Sequence, residues 1–175
     1  MAAMISIDFP RPTRAAYNRT SMRWLLLMLC VVPLPGQILK VASKSAPAGK
    51  KSVVEISLES PAGKEPLSIK WEMTFPGDAL KLDRTGAHPG PAAQGAGKNL
   101  TCAARKQSGQ PSRWVCLLAG GRKEIPNGVI ARFQFDVGPG AAGSLAVVVE
   151  NADAASAALK KIPITRAEGT VTVTR

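Results

Sequence analysis

Histidine is almost absent from this chain: His88 is the only one in 175 residues, and aromatic side chains make up 5% of the total. The lone imidazole sits in Gly86-Ala87-His88-Pro89-Gly90, a turn-forming setting that reads as solvated rather than poised for proton transfer. With only Cys102 and Cys116 left beside it after the expected export signal, and those two expected to be oxidised, a zinc site of the usual ligand types would have to draw on several carboxylates. Acids are scarce too, 12 Asp and Glu against 23 Lys and Arg, and they form no calcium-loop pattern. Gly138-Pro139-Gly140-Ala141-Ala142-Gly143 lacks the Lys and Ser/Thr of a phosphate loop, and chain position nominates no facing pair of acids for a hydrolase. These shortages point to a non-catalytic protein with no catalytic residue, no metal ligand and no cofactor.

Long apolar runs are also missing. The longest candidate, Trp24 to Val32, follows Arg23 and leads into Pro33-Leu34-Pro35-Gly36. It is too short for a membrane span, which needs about 20 apolar residues, and its flanks read as an export signal covering residues 1–37. A buried core helix is the alternative. Met22 makes the better initiator, and Cys30 follows Leu-Met-Leu, without the small residue that precedes a lipidated cysteine. The expected location is therefore secreted, extracellular or in the cell envelope, with no membrane span in the mature protein.

Removing residues 1–36 takes away four arginines and one aspartate and lowers the formal charge from +11 to +8. A basic field favours acidic partners of any class. Its charges are scattered, however, with pairs such as Arg122-Lys123 and Lys160-Lys161 but no longer run, and nucleic-acid binding would need clustering on one face. The reading is a solvated basic surface and no nucleic-acid partner.

Cys102 and Cys116 are the cysteines left after the signal. In an antiparallel hairpin they share a midpoint at Gly109, inside Gln107-Ser108-Gly109-Gln110-Pro111, which is turn chemistry. That register sets Leu100 against Leu118 and Ala104 against Trp114. It predicts a cross-strand disulfide closing a loop of about 15 residues, worth ~3 kcal/mol in the loop-entropy model. Two buried free thiols are the alternative.

Residues 38–51 mix Lys, Ser, Ala, Pro and Gly and read as a linker. From Ser52 the chain alternates with period two. Val54, Ile56 and Leu58 share one face of a strand, as do Leu67, Ile69, Trp71, Met73 and Phe75 of the next. Leu80 and Leu82 suggest a short strand before Thr85 to Gly97, which reads as a surface loop. After the hairpin and an Asn127-Gly128 turn, Val129, Ala131, Phe133, Phe135 and Val137 alternate with Ile130, Arg132, Gln134 and Asp136. Leu145, Val147 and Val149 follow, then Asp153 to Lys161 as a helical turn or loop, and a last strand over Thr170 to Thr174. Short strands between Gly/Pro turns argue for an all-β sandwich or barrel over residues 52–175.

The order of these pieces resembles a cohesin domain. SVVEISLES is similar to the family's first strand, and LSIKWEMTFPGDALKLD to its second strand and following corner, where Phe75-Pro76-Gly77-Asp78 stands in place of a Tyr-Asp-Pro signal. IPNGVIARFQFDV resembles the turn glycine and the strand ending in Phe-x-Val, and IPITRAEGTVTV the terminal strand entered through a glycine. The resemblance implies a nine-stranded jelly-roll β-sandwich that binds a protein partner, dockerin-like, in an extracellular polysaccharide-degrading or envelope assembly. A carbohydrate-binding module of the same fold is the alternative, and a structural envelope subunit a third reading.

For partner binding, Arg132 and Gln134 face away from the phenylalanines, and Lys81 and Arg113 are expected on neighbouring strands of the same sheet. A basic face would suit a dockerin-like or other acidic surface, and an ordinary hydrated sheet face is the bland reading. For carbohydrate binding, Trp114 near the hairpin turn is the candidate platform; covering the disulfide or filling the core is its other reading.

Overall fold

The computed structural model describes residues 36–105 and 111–174. Residues 1–35 of the expected export signal, with Met22, Trp24 to Val32 and Cys30, and most of the turn around Gly109 lie outside the described residues, whereas Gln37, the last residue of that expected segment, is the first of a strand. No helix among the described residues is long and apolar enough to cross a membrane.

The strands are β1 (Gln37–Val41), β2 (Lys44–Pro47), β3 (Lys51–Glu59), β4 (Ser68–Phe75), β5 (Leu80–Lys81), β6 (Ala87–Pro89), β7 (Asn99–Arg105), β8 (Ser112–Ala119), β9 (Gly128–Val137), β10 (Gly143–Ala155), β11 (Lys161–Thr165) and β12 (Ala167–Thr174). They form one path in the order β5-β9-β3-β1-β11-β10-β4-β8-β7, with β12 joining β10 to β2 and β6 lying beside β9. The path curls so that its two ends pack face to face. Phe75 of β4 meets Phe135 of β9 edge to face, with ring centroids 4.9 Å apart. The architecture is the expected all-β sandwich, with twelve strands among the described residues where nine were expected.

Period-two alternation fills the core as the sequence indicates. Val54, Ile56, Leu58, Ile69, Trp71, Met73, Leu118, Phe133, Phe135, Val147 and Val149 are all fully buried. The alternation breaks once in β9. Ile56 pairs with Ala131 but Ser57 with Val129, so Ile130 is the extra residue of a bulge. The bulge turns Ile130 inward beside Ala131 and leaves Val129 half-buried, which corrects the expected facing of both.

Three loop assignments are also corrected. The stretch 38–51, read as a linker, is largely strand: β1 pairs with β3 and β11, and β2 runs parallel to β12. Its alternation is short, but Leu39 and Val41 are buried and Gly169 lets Val41 approach, since a Cβ there would stand 2.7 Å from the Val41 carbonyl oxygen. Thr85 to Gly97 is partly ordered, with a 3-10 turn over Arg84–Gly86, then β6, then the helix α1 (Pro91–Gly95). Asp83 starts this segment by accepting from the Thr85 and Gly86 N–H groups at 2.7 and 2.8 Å. These bonds, led by the one from the Thr85 hydroxyl, hold the Asp83 carboxyl below its ordinary range. Asp153 to Lys161, read as a helical turn or loop, is the end of β10, a turn over 156–160 and the start of β11.

Candidate functional site

The hairpin register holds throughout. Leu100 faces Leu118, Cys102 faces Cys116 and Ala104 faces Trp114. Cys102 and Cys116 are joined in a disulfide with Cα atoms 4.1 Å apart, bonding the edge strand β7 to β8. The same register puts Arg105 directly opposite Arg113, two like charges on the solvent side. Such a pair is unfavourable unless an acid stands between its members.

The acid is Glu72, on the solvent side of β4. It is 8% exposed although its face is the outer one. Its Oε1 accepts from Arg105 Nη1 at 3.3 Å, and its Oε2 accepts from Arg113 Nη1 at 3.2 Å and from Asn151 Nδ2 at 3.1 Å. Arg113 also donates from Nη2 to Glu150 Oε1 at 3.3 Å. Asn151 reaches Glu72 because β10 bulges between Glu150 and Asp153, with Asn151 at φ +50°. Asparagine tolerates that left-handed backbone better than most residues. The result is a carboxylate held by donors from three strands on an otherwise open sheet face. Beside it on β8, Leu117 is 46% exposed.

The four residues nominated for partner binding do not share one face. Lys81 lies opposite Asp136, Arg132 opposite Glu55, and Gln134 opposite Val53, so these belong to the outer side of the β5-β9-β3 end. Arg132 Nε donates to Glu55 Oε1 at 2.9 Å, and His88 stands exposed on β6 across from it. Arg113 sits on β8 at the other end of the curled path. Alternation told which side of its strand each residue takes, but not which strands become neighbours.

Trp114 is 6% exposed and belongs to the core. Its inward side of β8 is shared with Cys116 and Leu118, so the ring offers no face to a sugar, and of its two readings the core one is what the structure shows. Glu72, Arg105, Glu150 and Asn151 were not singled out from the sequence. One signal was available, because the hairpin midpoint implies the Arg105–Arg113 clash; nothing local says that β4 supplies the acid.

Among the described residues no group of three or more His, Cys, Asp and Glu is placed to hold a metal. The two carboxylates of the Glu72 face are both engaged by Arg113. That arrangement presents fixed charge and hydrogen-bonding groups rather than a proton donor facing a base.

No protein-family model and no curated protein matches this chain. Solved structures do. The sixth cohesin of Acetivibrio cellulolyticus scaffoldin B, in complex with a dockerin mutant, superposes with TM-score 0.65 at 17% identity, over 80% of this chain and all (100%) of that one. The OlpA cohesin of Clostridium thermocellum, in a type I cohesin–dockerin complex, gives TM-score 0.66 at 14% identity over 80% and 100% of the two chains. A non-cellulosomal cohesin from the hyperthermophilic archaeon Archaeoglobus fulgidus gives 0.62 at 15% identity over 81% and 93%. The fold is cohesin-like.

Proposed function

We propose that this chain is an exported, non-catalytic recognition module whose β10-β4-β8-β7 face binds a protein partner, dockerin-like in role. One observation carries the reading: a sheet face open to solvent holds a carboxylate, Glu72, at 8% exposure under two arginines and an asparagine. Side chains locked by their neighbours lose little freedom when a partner docks, and that preorganisation is what an interface gains from such a network. Leu117 adds an apolar contact beside the charges. Cohesins of the same fold are found in complex with dockerins, which supports a protein as the partner. Export is supported by the apolar segment Trp24 to Val32 and by the Cys102–Cys116 disulfide, a bond that persists in oxidising compartments.

The test is capture of a partner from the culture medium of the source organism on the immobilised chain, compared with Leu117→Arg and Arg105→Glu variants. Both positions are exposed, so the fold should survive, which thermal unfolding checks. Loss of the captured protein with either variant, and retention with Arg132→Glu, places binding on this face. Loss with Arg132→Glu alone would move it to the opposite sheet, and capture indifferent to all three would overturn the reading.

A further inference from the structure

Strand β7 ends its side of the strand path, and the disulfide tells which of its backbone groups face outward. Opposed residues of an antiparallel pair stand about 5.5 Å apart where they exchange hydrogen bonds, and about 4.5 Å apart where their N–H and C=O groups point away from each other. Cys102 and Cys116 have Cα atoms 4.1 Å apart, so theirs is a pair of the second kind. Thr101 and Ala103, one step to either side, therefore bond to β8, and the N–H and C=O groups of Leu100, Cys102 and Ala104 point off the sheet. Among the described strands β7 pairs with β8 alone. Sheet edges are commonly blunted by proline, a bulge or charge. β7 is a 7-residue strand with no proline, no shift in its register and a charge only at Arg105.

Charge along this part of the chain is of one sign. From Arg84 to Lys123, a stretch that includes the whole of β7 and β8, there are seven Lys and Arg and no Asp or Glu. Arg105 closes one end of β7. Arg122 and Lys123, both exposed, follow the turn at the other end, where Gly120 approaches the Asn99 amide. Arg105 gives one bond to Glu72 and its side chain is 61% exposed, so it keeps donors for another acid. The solvent side of β7 carries Asn99, Thr101, Ala103 and Arg105, all exposed, while Leu100 and Cys102 lie half-buried against the core. A second copy of this edge would bring the same basic stretch against itself, which like charges oppose.

We propose that the β7 edge takes an extended acidic segment of a protein partner as one more antiparallel strand. Residues of that segment opposite Leu100, Cys102 and Ala104 exchange the backbone bonds and place apolar side chains on the inner side, beside Leu100. Residues opposite Thr101, Ala103 and Arg105 stand on the solvent side, where acids meet Arg105. The segment therefore alternates acidic and apolar residues. The inference rests on the reading of the β10-β4-β8-β7 face as one that binds protein, because an added strand extends that face.

The probe is the blocked peptide acetyl-Glu-Val-Glu-Val-Glu-Val-Glu-amide, titrated into the full chain by calorimetry and followed by amide hydrogen exchange. In the free protein the Leu100, Cys102 and Ala104 amides should exchange faster than those of Thr101 and Ala103, and saturating peptide should slow those three. N-methylation of the valines, whose N–H groups face β7 in this register, lowers the affinity at least ~10-fold, which is about 1.4 kcal/mol, whereas N-methylation of the glutamates does not. Ala104→Pro removes one outward N–H and none of the bonds to β8, so it keeps the unfolding midpoint and weakens the peptide by a similar factor. No saturable binding, equal binding of the valine-methylated peptide, or equal binding of a peptide with lysine in place of glutamate overturns the inference. Weaker peptide binding in Leu117→Arg would put the peptide on the sheet face and overturn it as well. If the peptide fails while partner capture still depends on Leu117, the edge proposal falls and the reading of the sheet face stands.

Discussion

Asn127 and Ser60, 67 positions apart, exchange two hydrogen bonds: Ser60 N–H donates to Asn127 Oδ1 at 2.7 Å, and Asn127 Nδ2 donates to the Ser60 carbonyl at 3.0 Å. The side-chain amide thus acts as one more backbone pair, extending the β3–β9 ladder beyond Leu58 and Gly128. Asn127→Ala leaves both groups of Ser60 without these partners and is expected to cost ~1–3 kcal/mol. Urea unfolding should show a lower midpoint at unchanged slope. Asn127→Asp, which keeps the acceptor and sets a second oxygen against the Ser60 carbonyl, should recover little of the loss.

Glu72 and Arg113 should be coupled beyond the sum of their separate effects. Glu72→Ala leaves Arg105 and Arg113 facing each other without their shared acid, and ~1–3 kcal/mol of destabilisation is expected. A double-mutant cycle with Arg113→Ala reads the coupling directly. Additive losses would show that the network contributes no joint stability.

Reduction of the Cys102–Cys116 bond should lower stability by ~3 kcal/mol, the loop-closure value for about 15 residues. Peptide mapping of unreduced protein should recover the two cysteines as one linked pair. Their recovery as separate alkylated peptides would contradict the bond.

Gly169 is required by its neighbour rather than by its own backbone. An added Cβ would meet Val41 Cγ1 and the Val41 carbonyl oxygen, each at 2.7 Å. Gly169→Ala must push β1 away from β12, with an expected loss of ~1–3 kcal/mol. Gly140→Ala, with nothing within 4 Å of the new atom, is the control that should stay near wild type in thermal unfolding.

Lys98 is 2% exposed, and its Nζ donates to the Gly120 carbonyl at 2.5 Å. Burial pushes its ammonium pKa below the ordinary 10.5. The unfolded chain therefore binds more protons between the folded pKa and 10.5, and stability from this group rises with pH across that window. Relative to Lys98→Met, the wild type should gain stability as pH climbs toward 10.5, read from urea midpoints. A constant difference would show that the ammonium is not desolvated in the fold.

Period-two alternation around Trp71, Phe133 and Val147 sufficed for an all-β sandwich, because a strand with one buried face must place its apolar residues every second position. The Cys102–Cys116 register was legible for the same kind of reason, since a hairpin's geometry is local and its midpoint fell on turn residues. Which strands lie side by side was not legible. Pairing between β4, β8 and β10 spans long stretches of chain and leaves no periodic trace, so Arg113 was assigned to the sheet of Arg132, and Glu72 passed as one more outward-facing acid. The β1 and β2 strands were hidden for a related reason. They bury few residues each, and what holds them is a glycine on β12 and backbone bonds to distant partners. The class of fold and the disulfide register follow from local patterns in the chain, whereas the meeting of Glu72, Arg105, Arg113, Glu150 and Asn151 depends on long-range ladder bonds that no local pattern encodes.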